Sequence, residues 1–470
     1  MDFRTTSLTA LADLVRTRRV SARELTTTAL DRIDALNPLF NAFVALHPEQ
    51  AMADAAALDE VIAHGGDPGP LAGIPLGVKD NHDAVGFRTT HGAPVLADAP
   101  AAATDSPFVA RLRAAGCIVV GKTNMPEFAW SSNTTNAVFG PTANPFNAEH
   151  GPGGSSGGSA AALAAGMVPL ATGSDGGGSI RLPSACCGLS GMKPSLGRVP
   201  GGGPMPQSWI DLSTSGPMAR RITDVVTALD VAIGPDPTDL RSLPRPEASW
   251  LAAVEGAHVP VRVAWAPTLG YGTVDPEVLA ICARAVEVLA SLGADVTVLE
   301  SVFDPEPLSD FVTIMSACQL RTLRPFMEHP RWDDIDPSLR ALVEAAQSIT
   351  AEQLVGAIDR CHTMNLSLVD LFHEVRILAT PTMGGVAPFI GTGLSTIDGE
   401  VTGNWLSFTY PFNMTRSPAA TVCAGLTAAG LPVGLQLVGP QHGDLVVLRT
   451  AAALEAALDA ARGFELLAPV

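Results

Sequence analysis

Lysine is nearly missing from this 470-residue chain: Lys79, Lys122 and Lys193 are the only three. Basic residues together number 29 against 47 acidic ones, a formal net charge of −18, and the charge is scattered rather than gathered into tails. No basic patch is available for nucleic acid or an anionic membrane surface, and neither is expected as a partner. Charged residues make up only 16% and apolar ones 47%, which predicts a compact soluble protein with little disorder. The seven cysteines (117, 186, 187, 282, 318, 361 and 423) are odd in number and irregular in spacing, with no C-x-x-C and no histidine at ligand intervals. That excludes a disulfide framework or zinc site and predicts buried free thiols in a reducing compartment, without a metal. The opening MDFRTTSLTALADLVRTRRV has no apolar core and carries Asp2 and Arg4, so it does not read as a signal peptide and a cytoplasmic location is expected. Uncharged sequence runs from Ser417 to Gln441, long enough to cross a membrane, but Gly425, Gly430, Pro432, Gly434, Gly439 and Pro440 divide it into two buried strands.

Apolar periodicity is helical from about 7 to 60, giving two opening helices within a 1–60 segment, with Ser21 and Glu24 spaced as a capping box. GIPLGVKD, CIVVGKTN and MVPLATGSD are apolar, strand-like runs that end on small or polar residues, and helical stretches lie between them. VPVRVAWAP, ADVTVLE and ILATPT continue the strands, with a helix over VDPEVLAICARAVEVLASLGA. Strand alternating with helix predicts an α/β fold. Residues 301–375 are helical and less regular and read as a cap-like insertion; no repeat or linker divides the chain, so 1–470 is expected to form one domain.

Two knots of glycine and serine stand between Gly151 and Pro183, in GPGGSSGGSAAALAAGMVPLATGSDGGGSIRLP. The first fits the G-x-S-x-G pattern of a nucleophile elbow, yet a loop, PTANPFNAEHG, precedes it where an elbow needs a strand. It lacks the G-K-[ST] of a phosphate loop, and a glycine turn that lets a helix pack closely is a further reading. The second knot follows the strand-like VPLATGSD and turns through Gly176, Gly177 and Gly178 into Ser179. Such a turn aims successive backbone N–H groups one way, a natural oxyanion hole beside a serine nucleophile.

A serine hydroxyl needs a base. Of ten histidines only His150 lies beside the knots, and none has a neighbouring aspartate in a pattern that stands out. Lysine can serve if burial lowers its pKa, and Lys79 ends a strand-like run. Asp175 and Arg181 flank the second knot and suit a structural clamp; Lys122 and Lys193 are expected to be structural, and Cys186 and Cys187 to pack in the core.

These residues closely resemble the signature of the amidase signature hydrolases. The resemblance covers nearly the whole chain, through GIPLGVKDN around Lys79, GKTNMPEFA from 121, the GP-M-AR stretch at 216–220, TPT at 380–382 and GLPVGLQLVG from 430. It implies a large central mixed β-sheet flanked by helices on both faces. It further implies a Ser-cisSer-Lys triad of Ser179 as nucleophile, Ser155 as cis-serine and Lys79 as base. The N–H groups of Gly176, Gly177, Gly178 and Ser179 match the oxyanion hole, with Gly154, Asp175 and Arg181 in support. The implied reaction is hydrolysis of a carboxylic amide through a serine acyl-enzyme, with aryl amides, esters and carbamates in the same range and no cofactor. The second reading is the amidase component of a tRNA-dependent amidotransferase, which releases ammonia beside a partner protein. Hydrolysis of membrane lipid amides is disfavoured, and a homodimer is left open. Two departures bear on substrate: Arg416 stands where many relatives have glycine and is expected, with Met125, as a substrate contact, while Gly176 stands where bulkier residues are common and is expected to widen the pocket.

Overall fold

Short apolar runs that stop at glycine, proline or a polar residue are too brief for stable helices and pair instead as strands. The computed structural model describes residues 1–462 apart from 205, 208, 257, 258, 260 and 261. Its strands are β1 (Phe43–Leu46), β2 (Pro75–Lys79), β3 (Ile118–Thr123), β4 (Leu170–Asp175), β5 (Ser190–Lys193), β6 (Thr214–Ala219), β7 (Arg262–Trp265), β8 (Asp295–Val298), β9 (Ile377–Pro381), β10 (Ser395–Ile397), β11 (Glu400–Thr402), β12 (Ala419–Leu426) and β13 (Pro432–Val438). Eleven of them form one mixed sheet in the order β1-β3-β2-β4-β6-β5-β12-β13-β9-β7-β8. β2 runs parallel to β3 and β4, and β7 to β8 and β9, while β4, β6, β5, β12, β13 and β9 pair antiparallel in succession. Helices flank the sheet, and the α/β expectation is met.

The uncharged 417–441 run is β12 and β13, joined antiparallel and almost wholly buried. Among the described residues no helix is long and apolar enough to cross a membrane. The VPVRVAWAP run includes residues 260 and 261, which lie outside the described set, and its remainder is β7.

At the start of the chain the structure adds to the expectation. Helices Leu8–Arg16 and Ala22–Phe40 are followed by β1 and a third helix, Pro48–Ala63. The Ser21–Glu24 capping box is present, with both reciprocal bonds made. Asn37 explains the strand: its Oδ1 accepts from the N–H of Ala42 at 2.8 Å and of Phe43 at 2.7 Å, while Asn41 turns left-handed at φ 49° and ends the helix. The chain leaves that turn extended and pairs with the edge of β3.

Residues 301–375 hold three α-helices, Leu308–Leu323, Pro337–Ala346 and Ala351–Glu374, between β8 and β9. They dock on a strained loop of the core, where Phe128 and Ala129 both take positive φ, 48° and 59°. Gln319 Nε2 donates to the Phe128 carbonyl at 3.2 Å, and the Asp336 N–H donates to Glu127 Oε2 at 3.1 Å. Phe128 itself packs in a cluster with Leu323, Ile335, Leu339 and Val343.

Candidate active site

Lys79 and Asp175 are the last residues of β2 and β4, parallel neighbours near the middle of the sheet. In a parallel arrangement the groups at the carboxyl ends of adjacent strands converge on one crevice. Lys79 is wholly buried there. Its Nζ lies 2.8 Å from Ser155 Oγ, 2.9 Å from Ser156 Oγ and 2.9 Å from Ser174 Oγ. Burial drives its pKa down to about 7, with the charge of Asp175 acting in the opposite sense.

Lys193 is also wholly buried and also lowered to about 7, by burial and then by the Arg181 charge, so titration alone does not single out a base. Contacts do. Lys193 Nζ donates to the carbonyl of Pro194 at 3.1 Å, whereas Lys79 meets three hydroxyls. Lys122 pairs with Asp80 at 3.3 Å and donates to the His82 carbonyl at 2.8 Å. Neither His150 nor His82 offers an alternative. His150 Nδ1 bonds the Ala387 carbonyl at 2.7 Å and its ring stacks on Phe389, while burial pushes buried His82 down to about 3.

The first knot is loop up to Ser156, after which the helix Gly157–Ala164 begins, so no strand leads into it as an elbow would need. The Gly154–Ser155 peptide bond is cis. A Cβ on Gly154 would lie 2.7 Å from the Ser132 carbonyl carbon and 3.0 Å from the Asn133 nitrogen, so only glycine fits against that backbone. The Ser156 N–H donates to the Ser179 carbonyl at 3.2 Å, tying the two knots together. Ser155 is fully buried, and Ser179 is the more accessible of the two.

Asp175 and Arg181 clamp the second knot, and both are completely buried. Arg181 Nε and Nη2 donate to the two carboxylate oxygens at 2.9 and 2.8 Å, a bidentate pair. Burial alone would raise the Asp175 pKa, but Arg181, with Lys193 and Asn413, holds the carboxyl far below the usual range. Arg181 reaches on to the Thr409 carbonyl, Gln436 and Asn413. The Asp175 oxygens also accept from the N–H groups of Gly178 at 2.8 Å and Ile180 at 3.2 Å, which folds the turn around the carboxylate.

Four expectations need amendment. The Gly178 N–H is engaged by Asp175, so the amides without a protein acceptor among the described residues are those of Gly176, Gly177 and Ser179. Gly176 does not widen a pocket, because a Cβ there would lie 2.6 Å from Cε3 of Trp209, whose indole occupies the space. Met125 is fully buried, with its carbonyl taken by Asn136 Nδ2 at 2.8 Å, and presents no surface to a substrate. Arg416 is not brought to the lysine and serines; its Nη2 pairs with Asp211 at 3.1 Å at the surface. Its φ of 60° gives a physical reason for glycine at that position.

Sequence reasoning missed Ser156, Ser174 and Asn81, whose Nδ2 donates to Ser174 Oγ at 3.1 Å. Each adjoins or nearly adjoins a residue already singled out, which was the available signal. It also missed the aromatic groups over the turn: Trp209 on Gly176, and Phe311 on Gly177, where a Cβ would lie 2.8 Å from Cζ. Phe311 stacks at a tilt on Tyr410, ring centres 4.9 Å apart.

The Amidase family model matches residues 24–448. An acylamidase of Rhodococcus erythropolis is 37% identical over 96% of this chain and 95% of its own. One chain of the glutamyl-tRNA(Gln) amidotransferase of Moorella thermoacetica is 34% identical over 95% of each. Among solved structures, a bacterial aryl acylamidase of the amidase signature enzymes superposes with a TM-score of 0.92, at 29% identity over 99% of both chains. A 6-aminohexanoate cyclic dimer hydrolase, solved with its substrate, gives 0.89 at 30% identity over 99% of this chain and 100% of that one. Matching the family along most of its length, the chain is a member of the amidase signature family.

Proposed function

We propose that the protein hydrolyses small carboxylic amides through an acyl-enzyme on Ser179, with Ser155 and Lys79 as the proton relay. The observation that carries this reading is the fully buried Lys79, lowered to about 7 and within hydrogen-bond distance of Ser155. A neutral amine has two N–H donors and one lone pair, and three hydroxyls surround this one. Two of them accept; the third, Ser155, donates its proton to Nζ and is thereby ready to take the proton of Ser179 as that oxygen attacks the carbonyl. The new C–O bond forms as the carbonyl π pair moves onto oxygen, and the N–H groups of Gly176, Gly177 and Ser179 receive that charge. The relay then runs in reverse: Ser155 hands a proton to the departing nitrogen, the C–N bond breaks and the amine leaves. Water, activated by the same path, releases the acid. No metal or nucleotide has a part in these steps.

The Asp175–Arg181 clamp keeps the turn in shape throughout, and the helices of 301–375 act as a cap, bringing Phe311 to the turn. Trp209 and Phe311 set apolar rings against Gly176 and Gly177, which favours an aryl or alkyl amide; one of the solved relatives is named an aryl acylamidase. Ester or carbamate turnover, a cytoplasmic location and a homodimer are further parts of the proposal. A panel of anilides, aliphatic amides, esters and carbamates tests it, read with Ser179→Ala. Turnover of at least one anilide or amide, lost on the order of 10^5- to 10^6-fold in Ser179→Ala with the fold retained, is the expected result. Full activity of Ser179→Ala would contradict it.

The amidotransferase chains among the relatives keep a second reading in view. Co-purification of a partner protein, with ammonia release dependent on it, would favour that reading; turnover by the isolated chain favours the hydrolase.

A further inference from the structure

Gly176, Gly177 and Gly178 follow one another with no side chain to fix the turn that presents its amides beside Ser179. Glycine takes left-handed as readily as ordinary backbone states, and Gly178 does so at φ 136°. Left alone, such a turn would sample many orientations of its N–H groups, whereas a preorganised set of donors needs one. Asp175 holds part of it, by accepting from the Gly178 N–H at 2.8 Å.

The other half of the same peptide is held by Thr409, which is completely buried and whose Oγ1 donates to the Gly177 carbonyl at 2.7 Å. The C=O and N–H of a trans peptide point opposite ways, so Thr409 and Asp175 grip the Gly177–Gly178 unit from two sides. That unit links the amides of Gly177 and Ser179, two of the three without a protein acceptor among the described residues. A Cβ on Gly178 would lie 2.8 Å from the Thr409 Cβ and closer still to Oγ1, so the hydroxyl fills the space that glycine leaves. Thr409 is anchored in turn. Its carbonyl accepts from Arg181 Nη1 at 2.9 Å, the Phe408 carbonyl accepts from Gln436 Nε2 at 2.8 Å, and the Tyr410 hydroxyl donates to Glu306 at 2.8 Å.

We infer that Thr409 is a positioning residue for acyl transfer: its hydroxyl fixes the Gly177–Gly178 peptide so that the Gly177 and Ser179 amides are aimed at the substrate oxygen as it takes up charge. It acts through the turn rather than on the substrate. This role rests on the reading of Ser179 as nucleophile, and it extends the clamp from Asp175 and Arg181 to a third residue, brought in from more than 200 positions away in the chain.

Thr409→Val keeps the shape and removes the O–H, Thr409→Ser keeps the O–H, and the two are compared on an anilide or amide that the unsubstituted chain turns over. Because the oxyanion charge exists only in the transition state, kcat should fall roughly 10- to 100-fold in Thr409→Val with KM within about twofold. Thr409→Ser should keep kcat within about threefold. Hydrogen exchange in the peptide covering 176–179 should quicken in Thr409→Val and not in Thr409→Ser. Thermal melting checks the fold, and Thr409→Ala serves as the hydroxyl-free chain should Thr409→Val not fold. Unchanged kcat in a folded hydroxyl-free chain, an equal loss in Thr409→Ser, or a loss carried by KM overturns the role, as does unchanged protection of the turn. Absence of any turnover in the unsubstituted chain would fall on the hydrolase reading instead, with the exchange comparison still deciding whether Thr409 holds the turn.

Discussion

A lysine that works as a base must lose its proton within the working pH range, and Lys79 meets that condition by burial among hydroxyls rather than beside a paired carboxylate. Its lowering to about 7 fixes the sign: protonated Lys79 accumulates below that pH, so kcat/KM should rise with pH and level off above it. Lys193 titrates in the same region, so the profile needs a control. Lys193→Met should keep an acid limb near 7, while Lys79→Ala should lose roughly 100- to 10,000-fold in kcat/KM at every pH. An unchanged rate in Lys79→Ala would remove lysine from the mechanism. Arg416 yields the opposite kind of prediction. Relief of a left-handed conformation is worth roughly 1–2 kcal/mol, and an exposed ion pair about 0–1 kcal/mol. Arg416→Gly should therefore melt at the same temperature or higher, and the kcat/KM ratio between an anilide and an aliphatic amide should not change. A shifted ratio would place the guanidinium at the substrate.

Elements carry these residues into place, and they differ in how plainly the sequence announces them. β2, β3 and β4 are legible as apolar runs that stop at polar residues, those of β2 and β4 at Lys79 and Asp175, which the site uses, and β12 and β13 because glycine and proline break an uncharged stretch. β1 is not legible: four residues, FVAL, continue the apolar spacing of the helix before them, and only the Asn37 side chain shows where that helix stops. The serines and lysine of the proposed relay are legible through the glycine knots and the scarcity of lysine. Trp209 and Phe311 are not, because their roles depend on which distant segments touch, and neither spacing nor composition records that. The helices of 301–375 make an element-scale prediction. Phe128 joins the strained loop to the cluster of Leu323, Ile335, Leu339 and Val343, so Phe128→Ala should cost about 3–5 kcal/mol. Hydrogen exchange should quicken first in the Pro337–Ala346 helix, which supplies Leu339 and Val343; uniform exchange across the chain would show that Phe128 is not the joint.

Across the whole molecule, one sheet brings together a lysine from β2, a clamped glycine turn after β4 and a serine loop that no strand leads into, and helices inserted between β8 and β9 supply an aromatic cover. Neither knot has the chemistry alone. The buried serine lacks access, and the accessible serine lacks a base of its own. The central claim is that Ser179 carries the acyl group and Ser155 relays its proton. Labelling with a fluorophosphonate, followed by peptide mass spectrometry, tests that division most directly. The adduct is expected on Ser179, at a rate that falls sharply in Lys79→Ala and Ser155→Ala, and it should be absent from Ser179→Ala. An adduct on Ser155, or labelling that persists in Ser179→Ala, would contradict the account.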